Sequence, residues 1–398
     1  MNIGITISLL EENESIWTSG IKLNALYLLK TLKEIGYNPY ILNNGKIQGP
    51  YEKKVVWNTE MFPTYDYNSS LEKTDLMIWL GSIFSDEDIT QFKNTGKNKK
   101  VIKYVCGSNY MRDLECSMFP TNSYPFTLYN QLLDEIWYVP QQEELDREYY
   151  RVLHKLPSKK VRPVPFIWDP IFLDAYLNIF QNSSDNSNPN YIPNKSFKDK
   201  QIASFEPNIN VQKWHLNSFL IVEDYFNLGG KFKNFNILCG EQLKDNSYYK
   251  SVIKHTSLVN NDSPLLNYLP RIPAIEALAS YADIVIAHQF ANPLNYSYLD
   301  ALYLQYPLVH NAPMIQDAGY YYPDNKINKG TKQLKQAVEN HDQNIEKYNL
   351  NSNKVLNRYT INNGDLLKIY KQLIESIMEI KNHKLGSVYD WSTNTYKI

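Results

Sequence analysis

Short apolar runs alternate with amphipathic stretches along this chain, and the pattern occurs twice, on either side of one polar break. That alternation constrains the fold more than any other feature. Residues 3–9 read as a strand, and residues 21–35 carry apolar positions at helical spacing. A second strand, 39–42, follows the stop signal Gly36. The runs 76–80, 101–105 and 136–139 are continuous and apolar, as strands covered on both faces of a parallel sheet are. Repeated βα units of this kind predict an α/β fold with a doubly wound sheet.

The stretch "VRPVPFIWDP" (161–170) reads as a strand leaving the first domain, and "QNSSDNSNPNYIPNKSFKDK" (181–200) has no periodicity at all. The pattern then restarts. Strands are expected at 202–205, 236–238, 257–259, 284–287 and 308–310, with helices at 216–226, 274–281 and 298–304. This gives an N-terminal Rossmann-like lobe over residues 1–173 and a polar linker or insertion over 174–200. A C-terminal Rossmann-like lobe follows over 201–360, and 361–398 hold a terminal helix near the lobe junction and a loose tail. The helix is expected at 366–380 and the loose tail beyond Lys384. Two such lobes face a cleft, and ligands of open α/β sheets sit at the carboxyl ends of the strands.

Composition narrows the function. At 398 residues, two domains are the natural reading. Lys+Arg 41 against Asp+Glu 42 leaves a net charge of −1, with no global basic signal for nucleic acid. Cys106, Cys116 and Cys239 are too scattered for a disulfide framework or a zinc site and suit a reducing, cytoplasmic setting. The N-terminus lacks a charged leader, and no run approaches the ~20 apolar residues of a membrane span. The 32 Tyr, with abundant Asn, Lys and Ile, are the composition of an AT-rich genome, viral or bacterial.

The segment "RIPAIEALASYADIVIAHQFANPLNYSYLDALYLQYPLVHN" (271–311) resembles the donor-site region of GT-B glycosyltransferases, particularly the retaining ones. "SIWTSGIKLNALYLLKTL", "YVCGSNYMRDLE", "DEIWYVPQ", "VPFIWDP", "FEPNINVQKW" and "PLVHNA" resemble, more closely, a poorly characterised family of bacterial and viral proteins related to those enzymes. The resemblance runs from residue 3 to about residue 322. It implies a GT-B architecture and a nucleotide-diphosphate sugar as donor substrate, with no metal or other cofactor required. The acceptor is a glycan, a protein or a modified base, and self-association is open.

The residues support a nucleotide-sugar reading of the C-terminal lobe. A diphosphate needs N–H donors and a cation, whereas ribose hydroxyls need a carboxylate. A loop carrying Asn292, Asn295 and Tyr296 into a helix offers N–H groups and a favourable dipole. Asp300, one turn in, matches the family acid that holds ribose; otherwise it complements the dipole on a solvated face. By the same resemblance Asn292 stands where retaining enzymes carry a carboxylate, with Pro293 and Asn295 replacing two glycines. Both stereochemical outcomes therefore stay open. Lys213 fits the place of a diphosphate-binding Lys, and Asn208 that of its partner Arg. Glu206 is either a sugar ligand or a strand-end carboxylate.

In the N-terminal lobe, Gly20 between first strand and first helix permits a close ligand approach or a plain turn. Asn24 lies on the first turn of that helix, where it is expected to face the cleft. Gly107, Ser108, Asn109 and Tyr110 follow a buried strand, and the resemblance puts them beside the acceptor and the anomeric carbon. Asn109, Asn292 and His288 are the candidate catalytic groups. His288 and His310 both end strands, where a structural, hydrogen-bonded role competes with an acid/base one. "SDED" (85–88) contains an Asp-x-Asp but reads as a helix cap. Two other functions compete with the main reading. One is a glycosyltransferase acting on a modified nucleic-acid base, and the other a non-catalytic nucleotide-sugar or glycan binder. Nucleotide release on turnover separates enzyme from binder.

Overall fold

A computed structural model describes residues 1–119, 131–183, 188–381, 383, 386, 388–390 and 392–397. The chain divides into two units, one of Met1–Asp169 with Arg358–Ile398 and the other of Pro170–Asn357.

In the first unit, the described residues form a parallel sheet in the order β3-β2-β1-β4-β5-β6-β7. Its strands are β1 (Asn2–Ile7), β2 (Asn38–Asn43), β3 (Thr64–Asp66), β4 (Leu76–Gly81), β5 (Lys100–Val105), β6 (Glu135–Tyr138) and β7 (Val161–Pro163). Helices α1 (Gly20–Glu34), α2 (Asp86–Asn94), α3 (Asn109–Met118) and α4 (Glu143–Leu153) connect them. Successive residues of the central strands, such as Leu76, Met77 and Ile78, are all buried. Burial on both faces is why these runs read as continuously apolar. The acidic stretch opening α2 is a capping box: Ser85 Oγ accepts from Asp88 N at 3.2 Å while Asp88 accepts from Ser85 N at 2.8 Å.

The second unit opens with α5 (Ile171–Ser183) and holds a parallel sheet in the order β10-β9-β8-β11-β12-β13. Its strands are β8 (Gln201–Ser204), β9 (Asn234–Ile237), β10 (Leu266–Tyr268), β11 (Ile284–Ala287), β12 (Leu308–His310) and β13 (Tyr320–Tyr321). Between and after them run α6 (Leu216–Asn227), α7 (Ser247–Ile253), α8 (Ala274–Tyr281), α9 (Tyr296–Tyr303), α10 (Ile327–Asn340) and α11 (Ile345–Leu356). Ile202, Phe235, Ile286 and Val309 from the sheet meet Phe219, Val222, Leu334 and Val338 from α6 and α10 in one core.

Three expectations are corrected. Residues 257–259 are a turn rather than a strand, because the Glu223 carboxylate accepts from the backbone N–H of Ser257 at 2.7 Å and of Leu258 at 2.9 Å. The expected linker 174–200 is structured where it is described. Residues 174–183 lie in α5, Tyr191 N donates to Leu304 O at 3.1 Å, and buried Lys200 donates to Val338 O at 3.0 Å. Residues 184–187 of that stretch lie outside the described residues.

The third correction concerns the C-terminal tail. The terminal helix, α12 (Gly364–Ile377), is followed by a hairpin of β14 (Val388–Asp390) and β15 (Thr395–Lys397). Asn394 anchors it, accepting from Phe166 N and donating to Phe166 O, both at 2.9 Å. Among the described residues no helix is long and apolar enough to cross a membrane.

Candidate functional site

In the second unit β8 pairs with both β9 and β11, so the winding of the chain reverses between β8 and β11. Loops leaving adjacent strands at such a point diverge and leave a crevice at their carboxyl ends. Here the loops are 205–215 and 288–295. They are tied together by Phe290 N donating to Gln212 O at 2.9 Å and Gln212 Nε2 donating to Ala291 O at 3.1 Å.

Glu206, two residues beyond β8, is fully buried between them. Its Oε1 accepts from the backbone N–H of His288 at 3.1 Å and the hydroxyl of Tyr298 at 3.2 Å, and its Oε2 from Gln289 Nε2 at 2.7 Å. Gln289 Oε1 in turn accepts from Asn292 Nδ2. Burial pushes the Glu206 carboxyl up to about 7, against the opposing hydrogen bonds and the charge of Lys213. A carboxylate held this way has strong donors and still sits at the edge of ionisation. Burial also holds the Tyr298 hydroxyl well above 10, so it remains a donor.

His288 occupies a hydrogen-bonded site. Nδ1 lies 2.9 Å from the Tyr322 hydroxyl and Nε2 2.6 Å from Asn217 Nδ2, and burial lowers its pKa to about 4. The ring is neutral at pH 7, which removes the basis for an acid role. His310 is likewise buried and pushed down to about 4, with Nε2 2.9 Å from Ala318 O.

Asn208, in the place of the family Arg, serves the loop itself. Its backbone sits in the left-handed region at φ 51°, which Asn tolerates better than most residues. Nδ2 donates to Leu238 O at 3.0 Å and to Glu206 O at 3.1 Å, while Oδ1 accepts from His215 N at 3.0 Å. His215 Nδ1 lies 2.8 Å from the same oxygen and its Nε2 2.8 Å from the Tyr249 hydroxyl. With both ends of the amide engaged, Asn208 is a staple of the loop.

Lys213 is half-buried, its backbone N–H held by Asn210 Oδ1 at 3.0 Å just ahead of α6. Asn295 is the N-cap of α9 with an extended backbone, Tyr296 is the first residue of the helix, and half-buried Asp300 lies one turn in. The structure thus joins Glu206, His288 and Asn292 in one bonded network. Asn208 and Lys213 lie on the same loop as Glu206, and Asn295, Tyr296 and Asp300 follow on α9.

The remaining expected residues belong to the other unit. Gly20 opens α1, and its carbonyl accepts from Asn24 Nδ2 at 2.7 Å, so buried Asn24 turns back on its own helix. Ser108 caps α3, its Oγ accepting from Met111 N at 3.1 Å. Buried Asp146 accepts from Tyr110 N at 2.9 Å, and Tyr150 Oη from Asn109 N at 3.3 Å. A side chain at Gly107 would meet nothing within 4 Å, so no close packing calls for glycine there. The Tyr110 ring is exposed, edge-on to Tyr149 at 5.2 Å.

Sequence reasoning missed Gln289, Tyr298 and Asn311. Asn311 Oδ1 accepts from Gln289 N at 3.1 Å and its Nδ2 donates to Gln289 O at 2.9 Å. The available signal was polar residues immediately past two apolar strands, at the carboxyl edge where sites form.

The family described as a protein of unknown function (DUF2827) matches the chain over residues 3–374. No curated protein sequence matches it. Among solved structures, a mutant of S. aureus TarM, in complex with fondaparinux, alpha-GlcNAc-glycerol and UDP, superposes with a TM-score of 0.56 at 9% identity, covering 94% of this chain and 100% of that one. Anabaena HepE in complex with UDP-glucose gives 0.51 at 10% identity, covering 95% and 100%. The beta-glucosyltransferase of phage T4 with its UDP-glucose substrate gives 0.50 at 13% identity, with the same coverage. The fold is GT-B, that of nucleotide-sugar glycosyltransferases.

Proposed function

The chain belongs to the family of proteins of unknown function named above (DUF2827), and we propose that it is a glycosyltransferase moving a sugar from a nucleotide-diphosphate sugar to an acceptor hydroxyl. One observation carries this reading. A buried, hydrogen-bonded network of Glu206, Gln289 and Asn292 stands at the strand edge where the winding reverses and leads directly into the N-terminus of α9.

In the reaction the acceptor oxygen forms a bond to the anomeric carbon as the bond from that carbon to the diphosphate breaks. The electron pair leaves on the diphosphate oxygen, and the acceptor hydroxyl's proton passes to that oxygen or to water. Lys213 and the N–H groups opening α9, with Asn295 and Tyr296, are assigned to the diphosphate charge, which fixed donors stabilise without reorganising. Asp300 is assigned to ribose hydroxyls and Asn292 to the sugar, while Glu206, Asn208 and His288 hold the loops. Gly20 is assigned to the donor and Asn24 to the acceptor from their place at the opening of α1, and residues 107–110 to the acceptor on resemblance, with Asn109 nearest the chemistry.

Calorimetric titration with UDP, UDP-glucose and pyrophosphate tests the assignment. Lys213→Ala should weaken UDP and pyrophosphate alike, by about 1.5–3 kcal/mol for a charge-assisted bond. Asp300→Ala should weaken UDP while leaving pyrophosphate unchanged. Equal losses of both ligands in Asp300→Ala contradict the ribose assignment, and unchanged affinities in both variants refute the donor site. Ligand-induced stabilisation without UDP release would instead identify a binder.

A further inference from the structure

We propose that Glu206 and Gln289 are positioning residues that lock the polarity of the Asn292 amide, holding its NH2 toward Gln289 and its carbonyl turned away as an acceptor for a sugar hydroxyl. The proposal rests on the glycosyltransferase reading for its ligand, while the relay itself follows from hydrogen-bond chemistry.

The direction of the relay is forced from one end. The backbone N–H of His288 can only donate, and it meets Glu206 Oε1 at 3.1 Å. Tyr298 donates to the same oxygen at 3.2 Å. That side of residue 206 must therefore accept in any protonation state. Oε2 faces Gln289 Nε2 at 2.7 Å. An ionised Oε2 only accepts, so Gln289 must present its NH2 there and its carbonyl to Asn292. Asn292 can then meet Gln289 only through its own NH2. Asn311 pins the backbone of Gln289 from both sides. Glu206, Gln289 and Asn292 are all buried, so an amide turned the wrong way would set like poles together without water to relieve them.

The same logic identifies what reverses the relay. A proton on Oε2 makes Glu206 a donor, which turns Gln289 and then Asn292 end for end. Burial keeps this carboxyl near 7, so the reversal is accessible close to neutrality. Glu206→Gln should make it permanent. Its carbonyl must still accept from His288 N–H, its NH2 replaces Oε2, and each amide downstream turns over. Adding Gln289→Glu should restore the original direction. The carboxylate so introduced accepts from the amide at position 206 on one oxygen and from Asn292 Nδ2 on the other.

Two readouts at pH 8 test this. In titrations with UDP and UDP-glucose, Glu206→Gln should lower the UDP-glucose affinity relative to UDP by about tenfold, the equivalent of one hydrogen bond to the sugar. The Glu206→Gln, Gln289→Glu protein should recover most of that loss, while UDP itself binds all three proteins alike. An unchanged ratio, equal losses of UDP and UDP-glucose, or a double variant no better than the single one overturns the proposal. The second readout needs no ligand. The side-chain NH2 resonances of Asn292 in 15N-edited spectra should move in Glu206→Gln, return in the double variant, and titrate with Glu206 in the wild type only. Resonances that stay fixed overturn the relay. A wild type that binds neither UDP nor UDP-glucose sinks the glycosyltransferase reading instead, and the spectra still decide the relay.

Discussion

Glu206→Gln should alter the pH dependence of stability in one direction only. Moving a carboxyl from 4.5 to about 7 on folding corresponds to about 3 kcal/mol, at about 1.36 kcal/mol per pH unit. Below pH 4.5 both folded and unfolded chains hold this proton, and the group contributes nothing. Between 4.5 and 7 the unfolded chain ionises while the folded one stays protonated, so stability falls as pH rises. Above 7 both are ionised and the full penalty is present. Gln has no such proton. Protonated Glu206 and the glutamine of the variant also run the relay in the same direction, so the two proteins should be nearly equal at about pH 4, below the unfolded pKa. By pH 8 the variant should be the more stable by up to about 3 kcal/mol. His215, His288, His310 and His341, lowered to about 3, 4, 4 and 4, give the opposite trend in both proteins and cancel in the difference. Hydrogen exchange of the β8 and β11 amides at several pH values reads the opening of this unit without the other. A difference constant within about 0.5 kcal/mol from pH 5 to 8 would refute the argument, because a carboxyl with an ordinary pKa gives that flat line.

Asn208→Ala removes acceptors and donors from His215 N, Leu238 O and Cys239 O and leaves a β-carbon at φ 51°. Urea unfolding should show a loss of at least about 3 kcal/mol, of which Asn208→Gly should recover about 1 kcal/mol from the backbone alone. If Gly is no better than Ala, the left-handed conformation carries none of the cost. Gly319→Ala should also destabilise this unit, because a β-carbon there would lie 2.7 Å from His310 Nε2 and 2.8 Å from Leu308 O, at φ 65°. About 2–5 kcal/mol is expected from overpacking and backbone strain together, read as a lowered midpoint of thermal unfolding. An unchanged midpoint would mean that β12 and the turn at Gly319 part easily.

The parts legible in the sequence are those whose signal lies within one segment. Strands β11 and β12 and helix α8 fall on the expected residues because each is bounded by its own breakers and carries its own apolar run. Helix α9 begins two residues earlier than periodicity suggests, since Tyr296 contributes a buried ring before the apolar repeat is recognisable. The 188–200 stretch and the C-terminal hairpin read as loose in the sequence because single side chains hold them. Tyr191, Lys200 and Asn394 each meet partners far away in the sequence, and no local pattern announces such contacts.

The site divides the same way. Lys213, Asn292 and Asp300 could be picked out by their place relative to a strand end and a helix start. Glu206 could not be told from an ordinary strand-end acid, because its character depends on a backbone N–H 82 residues away. Asn208 illustrates the converse. Its position suggests a ligand contact, yet an Asn in a tight loop before a buried His is also the residue type that tolerates φ 51° and can bond both ways. Gln289 carried no signal by itself, being neither charged nor periodic. Its role arises only when β8 and β11 become neighbours and an acceptor-only group faces an amide. In a doubly wound sheet, then, a carboxylate just past the first strand of the switch is best judged by the residues just past its partner strand. Here those are His288, whose N–H fixes one oxygen, and Gln289, which carries the polarity of the other to Asn292.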